Sequence, residues 1–173
     1  MLIPPGARAG ALVWRLSTRW RTAVDRAVAP HGLTHATYVV LTTLFAMRGA
    51  TPAGEDPGAP SQRALAEVSG LEPMYVSRLV RTLEADGLVA RSRDDQDSRV
   101  VRLELTERGL AVVRPAMRTV QALLDQLLAP LGGRDSPRSA ELVAMLTALL
   151  DAPLDARPDT PPDTPLDPGA IDA

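Results

Sequence analysis

The chain has 173 residues, enough for one domain of ordinary size, and a formal net charge of −2 at pH 7. It contains no lysine and no cysteine, which excludes a Walker-type phosphate loop, a Schiff-base lysine, a disulfide, a thiolate nucleophile and a cysteine-ligated metal cluster. At face value, the negative charge also argues against binding to nucleic acid.

The sequence predicts neither export nor membrane insertion. Its first residues lack the basic and apolar regions of a secretory signal. The longest nearly continuous apolar run, residues 142–150, is about half as long as a membrane span. We therefore expect a soluble, cytoplasmic protein with no membrane partner.

Four amphipathic helices are predicted in the first half of the chain, each bounded by a capping or helix-breaking residue. They cover about residues 8–29, 36–48, 61–70 and 73–86. Thr34 and Ser61 are the predicted N-caps of the second and third helices. Pro73 suits the first position of the fourth helix, and Gly87 suits its C-terminal stop. Glu72 is long for an N-cap residue, although its charge suits the helix dipole.

Two segments differ from the rest in composition. Residues 49–60 hold three glycines and three prolines, which predicts a loop. Contact with DNA and coverage of a pocket are both open for this loop, although an idle insertion is the simplest interpretation. Residues 152–173 hold six prolines and five aspartates, which predicts a disordered acidic tail, with or without a role.

After Gly87 the apolar residues alternate, which predicts two strands at 88–93 and 99–105 joined by a charged turn. Thr106 is the predicted cap of a long fifth helix with a heptad-like apolar stripe, which indicates a partner helix. Pro115 lies inside that helix and is expected to kink or divide it. A sixth helix is predicted at about 137–150.

This order of elements is that of a winged helix-turn-helix with extra helices at its ends. The third helix would support the fourth, which would lie in the major groove. Once the predicted buried positions are removed, an outward face remains on the fourth helix. Its predicted DNA contacts are Met74, Tyr75, Ser77, Arg78 and Arg81. Those of the supporting helix are Ser61, Gln62 and Arg63.

The segment 75–89, Arg91, the Asp97-Ser98-Arg99 motif and the Leu-Thr-Glu-Arg-Gly motif at 105–109 together resemble the MarR family of transcriptional regulators. The resemblance covers about residues 8–150. It implies a mainly α fold with a small β-hairpin wing. It also implies a homodimer formed through the first, fifth and sixth helices, in which each winged lobe reads half of a palindromic operator.

This resemblance also gives the predicted domain boundaries. Residues 1–151 would form one MarR-like domain. Its dimerisation helices would lie at about 8–29 and 107–150, and its DNA-binding lobe at about 34–105. Residues 152–173 carry one arginine and five aspartates, a charge of −4, which leaves +2 for residues 1–151. The folded part is therefore mildly basic, and the tail masks this.

In the wing, the resemblance places Arg99 in the minor groove and has Asp97 hold the wing arginines in place. A planar cation on a long stem suits the negative potential of a narrow minor groove. The neighbouring aspartates would repel phosphate unless some are paired, so we expect Arg93 or Arg99 to neutralise Asp97. Without the flanking motifs, residues 94–97 would be interpreted as a solvated turn.

Many members of the family release DNA when a small, often aromatic or phenolic, anionic compound binds between the dimerisation helices and the winged lobe. By resemblance, the candidate pocket residues are Trp14, Arg15, His35, Tyr38 and Met117. Each is also compatible with a plain core or interface role. His31 and His35 lack a clear third ligand, so no metal site is predicted, and neither is any cofactor.

The predicted function is a sequence-specific DNA-binding transcriptional regulator, a homodimeric repressor released by a small-molecule effector. The alternative is a winged-helix protein-interaction module that does not read DNA and whose fifth helix recruits another chain. An enzyme is not supported, because the sequence shows no nucleophile elbow, no metalloprotease helix motif and no convergent set of histidines and carboxylates.

Overall fold

The computed structural model describes residues 5–49, 59–94, 97 and 99–153. Residues 50–58 of the predicted loop and residues 154–173 of the predicted tail therefore lie outside the described residues. The chain divides into two compact units, residues 1–127 and 128–173.

The elements follow the predicted order. In the first unit they are α1 Ala9–Val28, α2 His35–Gly49, α3 Gln62–Ser69, α4 Pro73–Ala85, β1 Val89–Arg93, β2 Val101–Leu105 and, ending at the boundary, α5 Glu107–Leu128. Short 3-10 helices, Pro5–Arg8 and Ala29–His31, flank α1. The second unit contains a 3-10 turn, Ala129–Leu131, and α6 Pro137–Leu150.

Side chains cap α3 and α4 at their first turns. The Ser61 hydroxyl accepts a hydrogen bond from the Ala64 amide at 3.1 Å, as predicted. The Glu72 carboxylate accepts from two amides, Met74 N at 2.9 Å and Tyr75 N at 2.8 Å. Two orphan N–H groups of α4 are thereby satisfied by one negatively charged cap, which the helix dipole also favours.

One apolar core holds the first unit together. On α4 it takes Val76, Val80 and Leu83, while Leu79 is only half-buried at its edge. The other elements contribute mostly branched aliphatic side chains, which lose little rotamer freedom when packed. These are Val24, Val28, Leu33, Val40, Leu41, Leu44, Leu65, Ala66, Leu88, Val89, Leu103, Leu105, Val113, Ala116 and Val120.

The strands of the wing pair in antiparallel register from Val89 opposite Leu105 to Arg93 opposite Val101. Where the hairpin meets α5, the Thr106 hydroxyl donates to Gly87 O at 2.7 Å and accepts from Gly109 N at 2.9 Å. Thr106 therefore caps α5, as predicted, and also ties it to the turn that ends α4.

Pro115 does not divide α5, which runs as one helix from Glu107 to Leu128. That part of the prediction is wrong. A proline removes one backbone donor and crowds the preceding turn. Here the residues on both sides of it are buried, Val113 before and Ala116 and Val120 after, so packing against the core keeps the two halves of the helix continuous.

In the second unit, the Ser136 hydroxyl caps α6 by accepting from Ser139 N at 3.2 Å. The Ser139 hydroxyl donates to Gly133 O at 2.7 Å. This unit leaves much of α6 exposed, including Val143, Met145, Leu149 and Leu150.

Candidate nucleic-acid interface

The outward face of α4 is exposed as predicted, and its two arginines are held differently. Met74 is 67% exposed and Tyr75 37%, whereas Ser77 is half-buried. The Arg78 guanidinium lies over the Tyr75 ring, 5.6 Å from its centroid, a cation–π distance. Arg81 folds back along its own helix, with Nε donating to Ser77 O at 3.2 Å. The Arg78 guanidinium is thus supported by the Tyr75 ring, whereas the Arg81 side chain lies closer to the helix backbone.

The three predicted contacts at the start of α3 have different environments. The hydroxyl of Ser61 is used as the cap. Arg63 is exposed and forms an ion pair with Glu67 at 3.0 Å, one helical turn along. Gln62 is half-buried, and its Oε1 atom is buried without a hydrogen-bond partner among the residues the structure describes. All three line a hollow of about 890 Å³ between α3 and the wing, and Arg99 lines its other side.

The tip of the wing is held by its acidic residues through backbone amides. Asp97 Oδ1 accepts from Arg99 N at 3.0 Å, and Asp97 N donates to Asp94 Oδ1 at 3.0 Å. The expected ion pair between Asp97 and the guanidinium of Arg93 or Arg99 is not found in the described part of the chain, so that expectation is wrong. The Asp97 carboxylate instead accepts a hydrogen bond from the amide of Arg99, two residues ahead. The side chains of Arg93 and Arg99 remain exposed.

The acid that pairs with an arginine is Asp94, and the arginine is Arg102 on β2, at 2.6 Å. No local signal in the sequence singles out either residue for this role. Arg91 on β1 also pairs with Glu84 on α4 at 2.9 Å, which ties the root of the wing to α4. Both residues of this second pair belong to the segments that carry the family resemblance, Glu84 within 75–89 and Arg91 itself, but nothing in those segments indicates that the two side chains pair.

The predicted effector residues are only partly brought together. Trp14, which is 71% exposed, and His35 line one hollow of about 450 Å³ together with Arg21 and Asp25. Arg15 lines a separate hollow of about 710 Å³ along α1, which also includes Trp14. The remaining two candidates, Tyr38 and Met117, are half-buried against the core and line neither hollow.

Burial lowers the pKa of His35 from its usual value, and the nearby positive charge of Arg21 lowers it further, while Asp25 opposes the shift. The His35 amide donates to Asp25 Oδ1 at 2.8 Å, so Asp25 also holds the start of α2. Burial raises the pKa of Tyr38. This corner of the first unit therefore combines an exposed aromatic ring, an arginine and an imidazole whose pKa is lowered.

In the part of the chain that the structure describes, no group of three or more histidine or acidic side chains could hold a metal ion. No helix in the same part is both long enough and apolar enough to cross a membrane.

Comparison with known proteins agrees with this architecture. A family model described as "MarR family" matches residues 33–101. The HTH-type transcriptional regulator YdcH of Bacillus subtilis is 37% identical over 121 residues, which cover 69% of this chain and 77% of that protein. The HTH-type transcriptional repressor Mb2911 of Mycobacterium bovis is 31% identical over 122 residues, covering 70% and 81%.

A similar solved structure is the PcaV transcriptional regulator of Streptomyces coelicolor in complex with its natural ligand. It superposes with a TM-score of 0.72 at 26% sequence identity. The superposition covers 88% of this chain and 98% of PcaV.

Proposed function

The chain belongs to the MarR family of transcriptional regulators, and from this premise we propose that it is a homodimeric repressor of a palindromic operator, released by a small-molecule effector. Membership of this DNA-binding family confirms the prediction of a regulator rather than an enzyme. A protein that regulates transcription acts where the chromosome is, so we place it in the cytoplasm.

One observation carries the proposal: an exposed face of α4 with two arginines lies beside a wing whose Arg99 side chain has no partner among the described residues. In this assignment α4 enters the major groove, where Arg78 and Arg81 meet base edges and phosphates. Arg99 enters the adjacent minor groove, and Arg93 follows the backbone. Repression is the outcome we favour because the relative Mb2911 is named as a repressor.

The proposed dimer rests on apolar surface at the first and last helices. The first half of α1 exposes more than two-fifths of the surface of each of Leu12, Val13, Trp14 and Leu16. In its own unit, α6 exposes more than half of the surface of each of Val143, Met145, Leu149 and Leu150. Contiguous apolar patches of this kind mark interaction surfaces. We assign both to a second copy of the chain, with the lobe at about 34–105 left to contact DNA.

The proposed effector site is the hollow lined by Trp14, Arg21 and His35. An aromatic ring, a fixed cation and a polar imidazole suit a small aromatic anion, because the ring can stack while the carboxylate or phenolate pairs with the guanidinium. The related PcaV regulator has its natural ligand bound in its solved structure, which supports a ligand-responsive regulator for the present chain.

Fluorescence polarisation with the intergenic DNA beside its own gene tests the proposal. We expect tight binding by the protein and a loss with Arg99→Ala, together with a salt dependence that is shallower by about one unit of log K against log salt. Arg114→Ala, which removes an exposed arginine of α5, is the matched control and should bind as the wild type does. Equal binding by Arg99→Ala would refute the wing assignment.

A further inference from the structure

Arg102 lies in the middle of three adjacent segments of backbone. On one side it is opposite Ser92 of β1, in the register of the hairpin. On the other side it forms an antiparallel bridge with Ser61, and the neighbouring Leu103 N donates to Pro60 O at 3.0 Å. Strand β2 is therefore placed between β1 and the residues that begin α3.

The Arg102 guanidinium contacts both of these flanking segments. Its Nε and one terminal nitrogen each lie 2.6 Å from Asp94 Oδ2, at the end of β1. The other terminal nitrogen donates to Ala59 O at 3.1 Å, just before α3. The two charged side chains are shielded, with Asp94 16% and Arg102 32% exposed. A shielded, charge-assisted pair of this kind is screened less by salt than one in open solvent.

From Asp94 the contacts continue to the tip of the wing. The second carboxylate oxygen of Asp94 accepts from Asp97 N at 3.0 Å, and Asp97 Oδ1 accepts in turn from Arg99 N at 3.0 Å. Asp94 N donates to Val100 O at 3.0 Å, which joins the two ends of the turn at the wing tip. The carboxylate that Arg102 neutralises is thus the same group that fixes the backbone leading to Arg99.

We propose that Arg102 is a positioning residue for DNA binding: it fixes the wing tip against the start of α3 and thereby sets where Arg99 meets the minor groove. The proposal rests on the proposed DNA-binding function. Without Arg102, Asp94 loses this ion pair and is held less firmly, so the backbone from Asp97 to Arg99 that its carboxylate anchors becomes less ordered. Arg99 then has to be ordered on binding, which costs affinity.

A double-mutant cycle separates this role from a direct contact with DNA. In the wild-type background, Arg102→Gln should weaken operator binding about tenfold, which corresponds to about 1.4 kcal/mol. In the Arg99→Ala background, the same change should cost less than about twofold, because the side chain that Arg102 positions is already gone. Arg102→Lys can pair with Asp94 but lacks the planar fork needed to reach Ala59 as well. Its operator affinity should therefore lie between those of the wild type and Arg102→Gln.

Arg91→Gln is the matched control, because it breaks an ion pair at the root of the wing and leaves the tip contacts intact. It should show the same cost with and without Arg99. If Arg102→Gln costs equally in both backgrounds, Arg102 contacts DNA itself or acts on stability alone, and the proposal is overturned. Unchanged binding in the wild-type background would also overturn it.

Hydrogen exchange on the free protein tests, without DNA, whether Arg102 orders the wing tip. In Arg102→Gln the amides of Asp97 and Arg99 should exchange faster, while those in the middle of α4 keep wild-type protection. Unchanged protection at the tip refutes the positioning role of Arg102, whatever the DNA result. Faster exchange at the tip in a protein whose wild type binds no operator would support the ordering of the tip by Arg102 and refute the proposed function, so the two failures are distinguishable.

Discussion

Gly109→Ala should destabilise the protein, although alanine is the better helix former. A Cβ at this position of α5 would lie 2.1 Å from Leu88 O and 3.1 Å from Leu88 C, so the helix and the backbone of the hairpin cannot both stay in place. Overpacking of this kind costs about 1–3 kcal/mol. Separation would also strain the bond from Thr106 N to Leu88 O, 3.1 Å long and worth about 1 kcal/mol. Helix propensity returns about 1 kcal/mol. The net loss is therefore about 1–3 kcal/mol.

Urea unfolding followed by circular dichroism, at one fixed protein concentration, measures this loss. The control is Gly10→Ala in the first turn of α1, where an added Cβ meets no atom within 4 Å and the gain in helix propensity should stabilise by up to about 1 kcal/mol. The two glycine-to-alanine changes should thus shift the urea midpoint in opposite directions. A Gly109→Ala protein as stable as the wild type would refute the close approach of α5 to Leu88.

Three further outcomes are expected. Glu72→Ala, which removes the cap of α4, should lower the free energy of unfolding by about 1 kcal/mol, measured by urea unfolding, and Glu72→Ser should restore part of it. Since the pKa of His35 is lowered, the unfolded chain binds more protons near pH 6.5, so stability should fall as the pH drops below that value. His35→Gln should flatten this fall in urea midpoint. Arg78→Ala should weaken operator binding and relax base selectivity at one position of each half-site in a competition assay, whereas a uniform loss over all sequences would contradict base reading.

Local signals predicted most of the lobe. Ser61 and Thr106 mark where helices begin, and Gly87 where one ends, by rules that act within one turn of backbone. The periodicity of α4 separates its buried and outward faces without knowledge of the rest of the chain. Even the cap that looked unusual, Glu72, works by the same local rule, because its longer side chain still reaches the first amides of the helix.

Pairings between distant residues could not be predicted in the same way. Arg102 and Ala59 are 43 positions apart, and nothing in either local sequence indicates that they meet. The expected pairing of Asp97 failed because proximity in sequence favoured the neighbouring arginines, whereas the tight turn offered a closer backbone amide. Pro115 misled for a related reason: its local cost is fixed, but burial of residues on both sides of it depends on the whole core.

Hydroxyl-radical footprinting of the intergenic DNA beside the gene tests the central claim most directly. A homodimer with two winged lobes should protect two symmetry-related half-sites whose centres lie about one helical turn, or a multiple of it, apart, with added protection in the minor groove that is absent for Arg99→Ala. A single asymmetric footprint, or none at protein concentrations that saturate non-specific binding, would contradict a dimeric regulator that reads a palindrome.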